Sequence, residues 1–168
     1  MKAIGQRAFA SSATLSRLLQ EVRACTICAP HLSMPPRPVL QAAAGARILI
    51  AGLAPGLQGA NRTGRPFTGD WAGDLLYATL LKHGLAKGKY EERIDDSLEL
   101  VDCRIANAVR CVPPQNKPLP AEIRTCNQFL RARISSLPRL TAIVALGRIA
   151  HDGVLTALGA KKSAHPFS

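Results

Sequence analysis

Short apolar runs alternate with segments of helical periodicity along much of the chain. The apolar runs occupy residues 47–51, 99–109 and 140–147, and the helical segments occupy residues 72–84, 120–137 and 148–159. Apolar runs bounded by turn residues are typical of strands buried on both faces of a parallel sheet. The alternation therefore predicts an α/β fold, a three-layer α/β/α sandwich with a central, mainly parallel sheet.

An additional amphipathic helix is predicted near the N-terminus. Leu15, Leu18, Leu19 and Val22 recur there at helical spacing, and Thr14 is placed to cap the first turn. The 168 residues suffice for one domain with a single core. No apolar run approaches the roughly 20 residues that a membrane-spanning helix needs, so we expect a soluble protein without a membrane partner.

The charge of the chain is strongly positive. Basic residues outnumber acidic ones by 22 to 11, and the net charge is +11. Such an excess favours a polyanionic partner, nucleic acid first and an acidic membrane surface second. The basic residues are scattered along the sequence, so they do not form a simple charged arm. A basic surface without a specific partner is the alternative.

A long glycine-rich segment, 52–70, joins the first predicted strand to the helix that follows. In open α/β sheets, ligands bind beyond the carboxyl ends of the strands, which is where this segment begins. It contains neither the Gly-Lys-Ser/Thr ending of a phosphate-binding loop nor the GxGxxG pattern of a dinucleotide site. Since loops of this length in compact domains are usually functional, the segment predicts a ligand site of another kind.

Four of the cysteines have a spacing that is typical of a metal centre. Cys25 and Cys28 are separated by two residues, and Cys111 and Cys126 follow far downstream at a loop and a helix start. Such a set suits a tetrahedral zinc site or an iron–sulfur cluster, and the spacing alone does not choose between them. Two disulfides are the alternative, which would require an oxidising compartment. Cys103 lies within a predicted strand and is expected to be a buried, inert thiol.

Three blocks of sequence are long, ordered and specific enough to indicate a family. They read GLAPG followed by GANRTGRPFTGDWAGDLLY, then IANAVRCVPPQNKPLPAEIRTC, then LTAIVALGRIAHDGVL, and they cover most of residues 47–155. Together they resemble the family-five iron–sulfur uracil-DNA glycosylases. The resemblance implies a DNA-repair hydrolase that flips uracil, or another deaminated base, out of DNA and hydrolyses its N-glycosidic bond in base excision repair.

The resemblance also implies a cofactor and a cellular setting. The family carries a [4Fe–4S] cluster with a structural role, and its ligand positions fall on Cys25, Cys28, Cys111 and Cys126. This favours iron over zinc. DNA that contains uracil, double- or single-stranded, is then the partner, and we expect a monomer in the bacterial cytoplasm, associated with the nucleoid.

Asp70 is the candidate catalytic residue. Cleavage of the N-glycosidic bond passes through an oxocarbenium-like state, which a carboxylate or a water that it positions can stabilise. Family-four relatives place a Glu where this chain has Leu53, so the resemblance leaves Asp70 as the acidic candidate. An N-cap on the following helix is its alternative role, and the two roles are compatible. The glycine-rich turn is expected to bind the substrate through backbone N–H groups; it consists of Gly52, Leu53, Ala54, Pro55 and Gly56.

Two further side chains are expected to recognise the base. Asn107 ends a predicted strand, and its amide can offer a donor and an acceptor to the edge of uracil, which distinguishes uracil from cytosine. Phe67 is expected to stack on the flipped base. Local backbone bonding by Asn107 and core packing of Phe67 are the alternatives. Arg62, Arg65 and Lys117 could contact phosphates, as any exposed basic side chain could.

The family's late motif, which delivers a His from an apolar strand, is expected beyond residue 168. We therefore expect residues 1–168 to form a single domain that lacks its C-terminal part, with weak or absent catalysis. His165 is not expected to replace the late His, because the polar segment before it cannot be the delivering strand. His151, on the helix after the third predicted strand, is expected to be structural or at the surface. Two alternatives stay open: a DNA-binding or damage-sensing module without turnover, and a four-cysteine zinc protein that binds nucleic acid.

Overall fold

The computed structural model describes residues 12–39 and 45–167. The helices are α1 (Ser12–Arg23), α2 (Ala60–Thr63), α3 (Trp71–Lys82), α4 (Pro120–Ser135) and α5 (Arg148–Leu158), and the strands are β1 (Ile48–Gly52), β2 (Ala86–Lys87), β3 (Glu99–Leu100), β4 (Cys103–Asn107) and β5 (Ala142–Ala145). Single turns of 3-10 helix lie at Ala29–His31, Pro114–Asn116 and Lys162–Ala164.

A parallel sheet with the strand order β4-β1-β5 lies at the centre of the described fold. The register sets Gly52 opposite Asn107 and Ala51 opposite Ala145. The carboxyl ends of the three strands therefore meet at one edge, which is where a ligand site is expected in an α/β sheet. Strands β2 and β3 pair antiparallel as a separate ribbon.

Helices cover both faces of the parallel sheet. Because successive strand residues point to opposite faces, Leu49 packs with buried side chains of α4 and α5, whereas Ile50 packs with Tyr77 and Leu80 of α3. Each such apolar side chain contributes about 1.5–3 kcal/mol when it is fully buried. The arrangement confirms the predicted three-layer α/β/α sandwich with a parallel central sheet.

The prediction of one strand over 99–109 is wrong, because the chain breaks at Asp102. This residue has a φ of +53°, which no extended strand accommodates, and it separates the antiparallel β3 from the parallel β4. Its carboxylate accepts a hydrogen bond from the backbone N–H of Arg47 at 3.1 Å and pairs with the Arg47 and Arg139 guanidinium groups. The break is thus fixed by contacts at the start of β1.

Helix α1 is present, but Thr14 does not cap it. Ser12 is already helical, so Thr14 lies inside the first described turn. Residues 1–11 lie outside the described part of the chain. Val22 is 1% exposed and attaches the helix to the core. None of the helices among the described residues combines the length and the apolarity that crossing a membrane requires.

Candidate functional site

Gly52, Phe67 and Asn107 are brought into close contact where β1 and β4 end. A methyl group on Gly52 would lie 2.5 Å from Phe67 Cζ and 2.6 Å from Asn107 Oδ1, distances that no side chain can occupy. Glycine is required at position 52 because a side chain would not fit, not because the backbone adopts an unusual conformation. The lack of a Cβ lets an aromatic ring and an amide approach the end of the strand together.

The Asn107 amide is buried with one of its polar atoms unused. The residue is 2% exposed, and its Oδ1 has no hydrogen-bond partner. A buried carbonyl oxygen without a donor costs free energy and calls for an explanation, of which an absent ligand is one. An N–H donor that entered beside Phe67 would satisfy it.

Asp70 caps helix α3 with one carboxylate oxygen. Its Oδ1 accepts the backbone N–H of Gly73 at 2.8 Å, which is the arrangement of a helix N-cap. Its Oδ2 lies against two glycines: a methyl group would stand 2.6 Å away on Gly59 and 3.2 Å away on Gly56. The cap therefore leaves the second oxygen beside the glycine-rich turn, so the structural role does not consume the whole carboxylate.

A cavity of about 790 Å³ lies beside Phe67 and Asp70 and extends along apolar side chains of β1, α3 and β5. It is large enough for a nucleobase with its sugar, since pockets for small organic ligands measure roughly 300–1,000 Å³. Of the sequence-predicted residues, its lining includes Leu53, Ala54, Gly56, Phe67 and Asp70. Gly52, Pro55 and Asn107 are not among its lining residues; Pro55 is fully buried, and Phe67, which lines the cavity, reaches Gly52.

The four cysteines of the predicted metal centre line a second, smaller cavity. Its other lining includes the apolar side chains of Val22, Leu32, Pro36, Val109 and Phe129. The cavity joins the loop after α1 to the loop after β4 and to helix α4, which are far apart in the sequence. Cys103 lies elsewhere: it is buried, and its thiol donates a hydrogen bond to the Leu85 carbonyl at 3.2 Å.

Electrostatics in this cysteine cavity disfavour free thiolates. Burial, followed by the neighbouring Cys126, raises the pKa of Cys111 to about 11. Burial likewise raises the pKa values of Cys28 and Cys126, whereas backbone N–H groups of Arg37 and Arg110 lower those of Cys111 and Cys126 respectively. Partly buried thiols with raised pKa values, gathered in one cavity, are the kind of set that a bound metal centre would stabilise in the thiolate form.

No group of three or more His, Cys, Asp or Glu side chains in the described ranges is already arranged to hold a single metal ion. Cys25, Cys28, Cys111 and Cys126 nevertheless line one cavity, and the other three raise the pKa of Cys111.

Comparison with known proteins decides the family. The model of the uracil DNA glycosylase superfamily matches residues 40–166. The chain belongs to this superfamily. It is 50% identical over 122 residues to the type-5 uracil-DNA glycosylase of Thermus thermophilus, covering 73% of this chain and 55% of that protein.

More distant superfamily members are also similar to the chain. The type-5 uracil-DNA glycosylase of Pyrobaculum aerophilum is 41% identical over 119 residues, which covers 71% of this chain and 52% of that protein. The type-4 enzyme of Thermotoga maritima is 35% identical over 132 residues, covering 78% and 60% respectively. The chain thus spans about half the length of the type-5 relatives. These relatives confirm the family-five resemblance.

The basic and histidine side chains considered for the site differ in exposure and in their partners. Arg65 is bound bidentately to Asp96 at 2.7 Å in a nearly buried ion pair, so its guanidinium already has a carboxylate partner. Arg62 and Lys117 are exposed. His151 lies 3.5 Å from the Asp152 carboxylate and packs against Phe167.

Several other residues line the cavity without having been singled out from the sequence, among them Trp71 and Asn116. Trp71 follows Asp70 directly, lines the cavity and is 81% exposed. Asn116 lines it from the loop after β4, and Asn116 and Gln115 both have positive φ, +57° and +52°. The only signal in the sequence was the position of Trp71, an aromatic residue next to the acidic candidate.

Proposed function

We propose that this superfamily member hydrolyses the N-glycosidic bond of uracil in DNA. The observation that carries the proposal is the buried Asn107 amide, whose unused oxygen lies against Phe67 and Gly52 beside a cavity of nucleobase size. The relatives that share this part of the sequence bear the name uracil-DNA glycosylase.

Base recognition follows from the hydrogen-bonding pattern of uracil. Uracil presents an N3–H donor beside a carbonyl acceptor, and cytosine presents an acceptor beside an amino donor. In our proposal, Asn107 Oδ1 accepts the N3–H of uracil and the amide NH₂ donates to the carbonyl. With cytosine in the same position, Asn107 Oδ1 would face the N3 acceptor and the amide NH₂ would face the amino donor, so neither hydrogen bond could form. Phe67 provides the face on which the flipped base stacks.

Catalysis in our proposal relies on Asp70. The oxygen that does not cap α3 either faces the positive charge that develops on the sugar or holds the attacking water. The negative charge that develops on uracil is stabilised by backbone N–H groups of the turn, residues 52–56. Leu53 lies in the turn and has no carboxylate, so Asp70 is the acidic side chain that stabilises the charge on the sugar or positions the water.

The partner in our proposal is uracil-containing DNA, single- or double-stranded, in the bacterial cytoplasm and at the nucleoid. The net charge of +11 supports a polyanionic partner. The exposed Lys117 supports phosphate contacts close to the site, because it directly follows Asn116 at the cavity. We propose that the protein acts as a monomer.

We further propose that the cysteine cavity holds a [4Fe–4S] cluster ligated by Cys25, Cys28, Cys111 and Cys126. The fit rests on four thiols in one apolar cavity, with backbone N–H groups directed at two of them. When bound, the cluster supplies a structural cross-link rather than redox chemistry. Purification under anaerobic conditions tests this: iron and inorganic sulfide with a brown colour support it, and a colourless zinc-loaded protein contradicts it.

A second candidate is a module that binds damaged DNA without turnover. The observation that favours it is that neither His151 nor His165 is among the described residues that line the cavity. A protein of this kind would hold the flipped base against Phe67, with the Asn107 amide as its hydrogen-bonding partner, and leave the N-glycosidic bond intact.

One experiment separates the two candidates. An oligonucleotide with a single uracil is incubated with the protein, treated with alkali to cleave abasic sites and compared with the same sequence carrying cytosine. Strand cleavage at uracil alone supports the glycosylase. Binding of the uracil oligonucleotide without cleavage supports the module. If the protein neither binds nor cleaves either oligonucleotide, both candidate functions are contradicted.

A further inference from the structure

Phe67 has a backbone conformation that its side chain does not favour. Its φ is +56°, in the left-handed region that bulky residues rarely adopt. Such a conformation persists only when surrounding contacts enforce it. The Phe67 side chain lines the cavity, so the contacts that hold this backbone conformation also place the ring.

Tyr90 bonds the backbone immediately after this residue, on either side of Thr68. Its hydroxyl donates to the Phe67 carbonyl at 3.3 Å and accepts the Gly69 N–H at 3.2 Å. One oxygen thus ties together the carbonyl of residue 67 and the amide of residue 69. Gly73 packs against the same carbonyl so closely that a methyl group there would lie 1.8 Å from it.

Tyr90 is itself fixed by its neighbours. Its ring lies 4.6 Å from that of Tyr77, and the Arg65 guanidinium lies 5.6 Å from its ring centre. Asp96 binds that guanidinium with both oxygens at 2.7 Å and accepts the backbone N–H of Glu91, the residue after Tyr90, at 3.0 Å. The ion pair therefore connects the β2–β3 loop to the glycine-rich segment.

Charge and protonation agree with this geometry. The Arg65 guanidinium, opposed by burial, holds the pKa of Asp96 well below its ordinary range. Burial raises the pKa of Tyr77 to about 12 and raises that of Tyr90. Asp96 therefore stays charged and both hydroxyls keep their protons at neutral pH, so that Tyr77 also donates to the Pro66 carbonyl at 2.6 Å.

We propose that Tyr90 is a positioning residue for base recognition, which holds Phe67 in its left-handed conformation so that the ring meets the flipped base. This rests on the proposed function for the role of the ring. Tyr90 touches no substrate in this arrangement, and it acts through the Phe67 backbone. The β2–β3 loop becomes a support for the site, anchored by the pair of Arg65 and Asp96.

The first test is amide hydrogen exchange at Gly69, which needs no activity. Tyr90→Phe keeps the stacked ring and removes only the hydroxyl, so we expect Gly69 N–H to exchange about fivefold faster. Tyr77→Phe is the matched control, since it removes a hydroxyl bonded to Pro66 and leaves the Tyr90 bonds in place. Unchanged exchange at Gly69 in Tyr90→Phe overturns the proposal, as does an equal increase in both variants.

The second test is a double-mutant cycle on kcat/KM for uracil release from an oligonucleotide. We expect Tyr90→Phe to lower kcat/KM about fivefold in the wild-type background and less than about twofold in Phe67→Ala. An equal loss in both backgrounds means that Tyr90 does not act through Phe67, and the proposal fails. If the wild type releases no uracil, the proposed function fails, and exchange at Gly69 still decides the positioning role.

Discussion

Replacement of Gly52 by Ala tests the tight packing of the site most severely. The added methyl would lie 2.5 Å from Phe67 Cζ and 2.6 Å from Asn107 Oδ1. Since carbon atoms in contact stand about 3.5–4.0 Å apart, the ring must move by roughly 1 Å. Overpacking of this kind costs about 1–3 kcal/mol of unfolding free energy. A displacement of about 1 Å at a reacting site can cost roughly 100-fold in rate.

Two measurements on Gly52→Ala check this estimate: urea denaturation for stability, and uracil release from an oligonucleotide for kcat/KM. Gly153→Ala is the matched control, because its methyl would stand 3.4 Å from the nearest atom, Ala108 Cβ, inside helix α5. We expect the control to keep full activity and to gain up to about 1 kcal/mol. If Gly52→Ala releases uracil within about twofold of wild type, the reasoning from close contact to function is refuted.

Three further changes test separate parts of the site. Asp70→Asn should keep the stability of α3, because Asn caps helices about as well as Asp, and should lower uracil release by about 100-fold or more; unchanged release would remove Asp70 from catalysis. Asn107→Ala should lower the preference for uracil over cytosine by at least about tenfold in paired excision assays, and an unaltered preference would show that the base is read elsewhere. Asp96→Asn leaves the partly buried Arg65 cation without its charged partner and should lower the unfolding free energy by about 1–3 kcal/mol in urea denaturation at neutral pH. Because the folded pKa of Asp96 is depressed, its contribution is fully present above about pH 4 and is lost as the pH falls further. The gap between wild type and Asp96→Asn should therefore narrow in acid, and a gap that widens would contradict the ion-pair account.

Much of the fold follows from local sequence patterns. Strand β1 and helices α3, α4 and α5 lie where their apolar periodicity predicts them, because each buries one continuous face or run. The break at Asp102 could not be predicted, since it depends on contacts with Arg47 and Arg139. The β2–β3 ribbon was not predicted, because strands of two residues are too short to show an alternation of apolar and polar residues.

The local positions of Asp70 and Asn107 could be predicted from the sequence, but the geometry of the candidate site could not. Asp70 caps α3, which was expected of an Asp that directly precedes a helix. Asn107 ends β4, which was expected from its place in the apolar run. That Gly52 has room only for hydrogen depends on Phe67, fifteen positions later, and on a neighbouring strand. Arg65 was assigned to the surface because its partner, Asp96, comes from a loop whose fold the local sequence does not reveal.

Detection of free uracil is the most direct test of the central claim. The protein is incubated with a uracil-containing oligonucleotide, and the released base is measured by mass spectrometry, with Asp70→Asn as the comparison. We predict free uracil from the wild type, far less from Asp70→Asn, and no free cytosine from a matched cytosine oligonucleotide. Tight binding of the uracil oligonucleotide without any free base would contradict the claim that this cavity hydrolyses the bond.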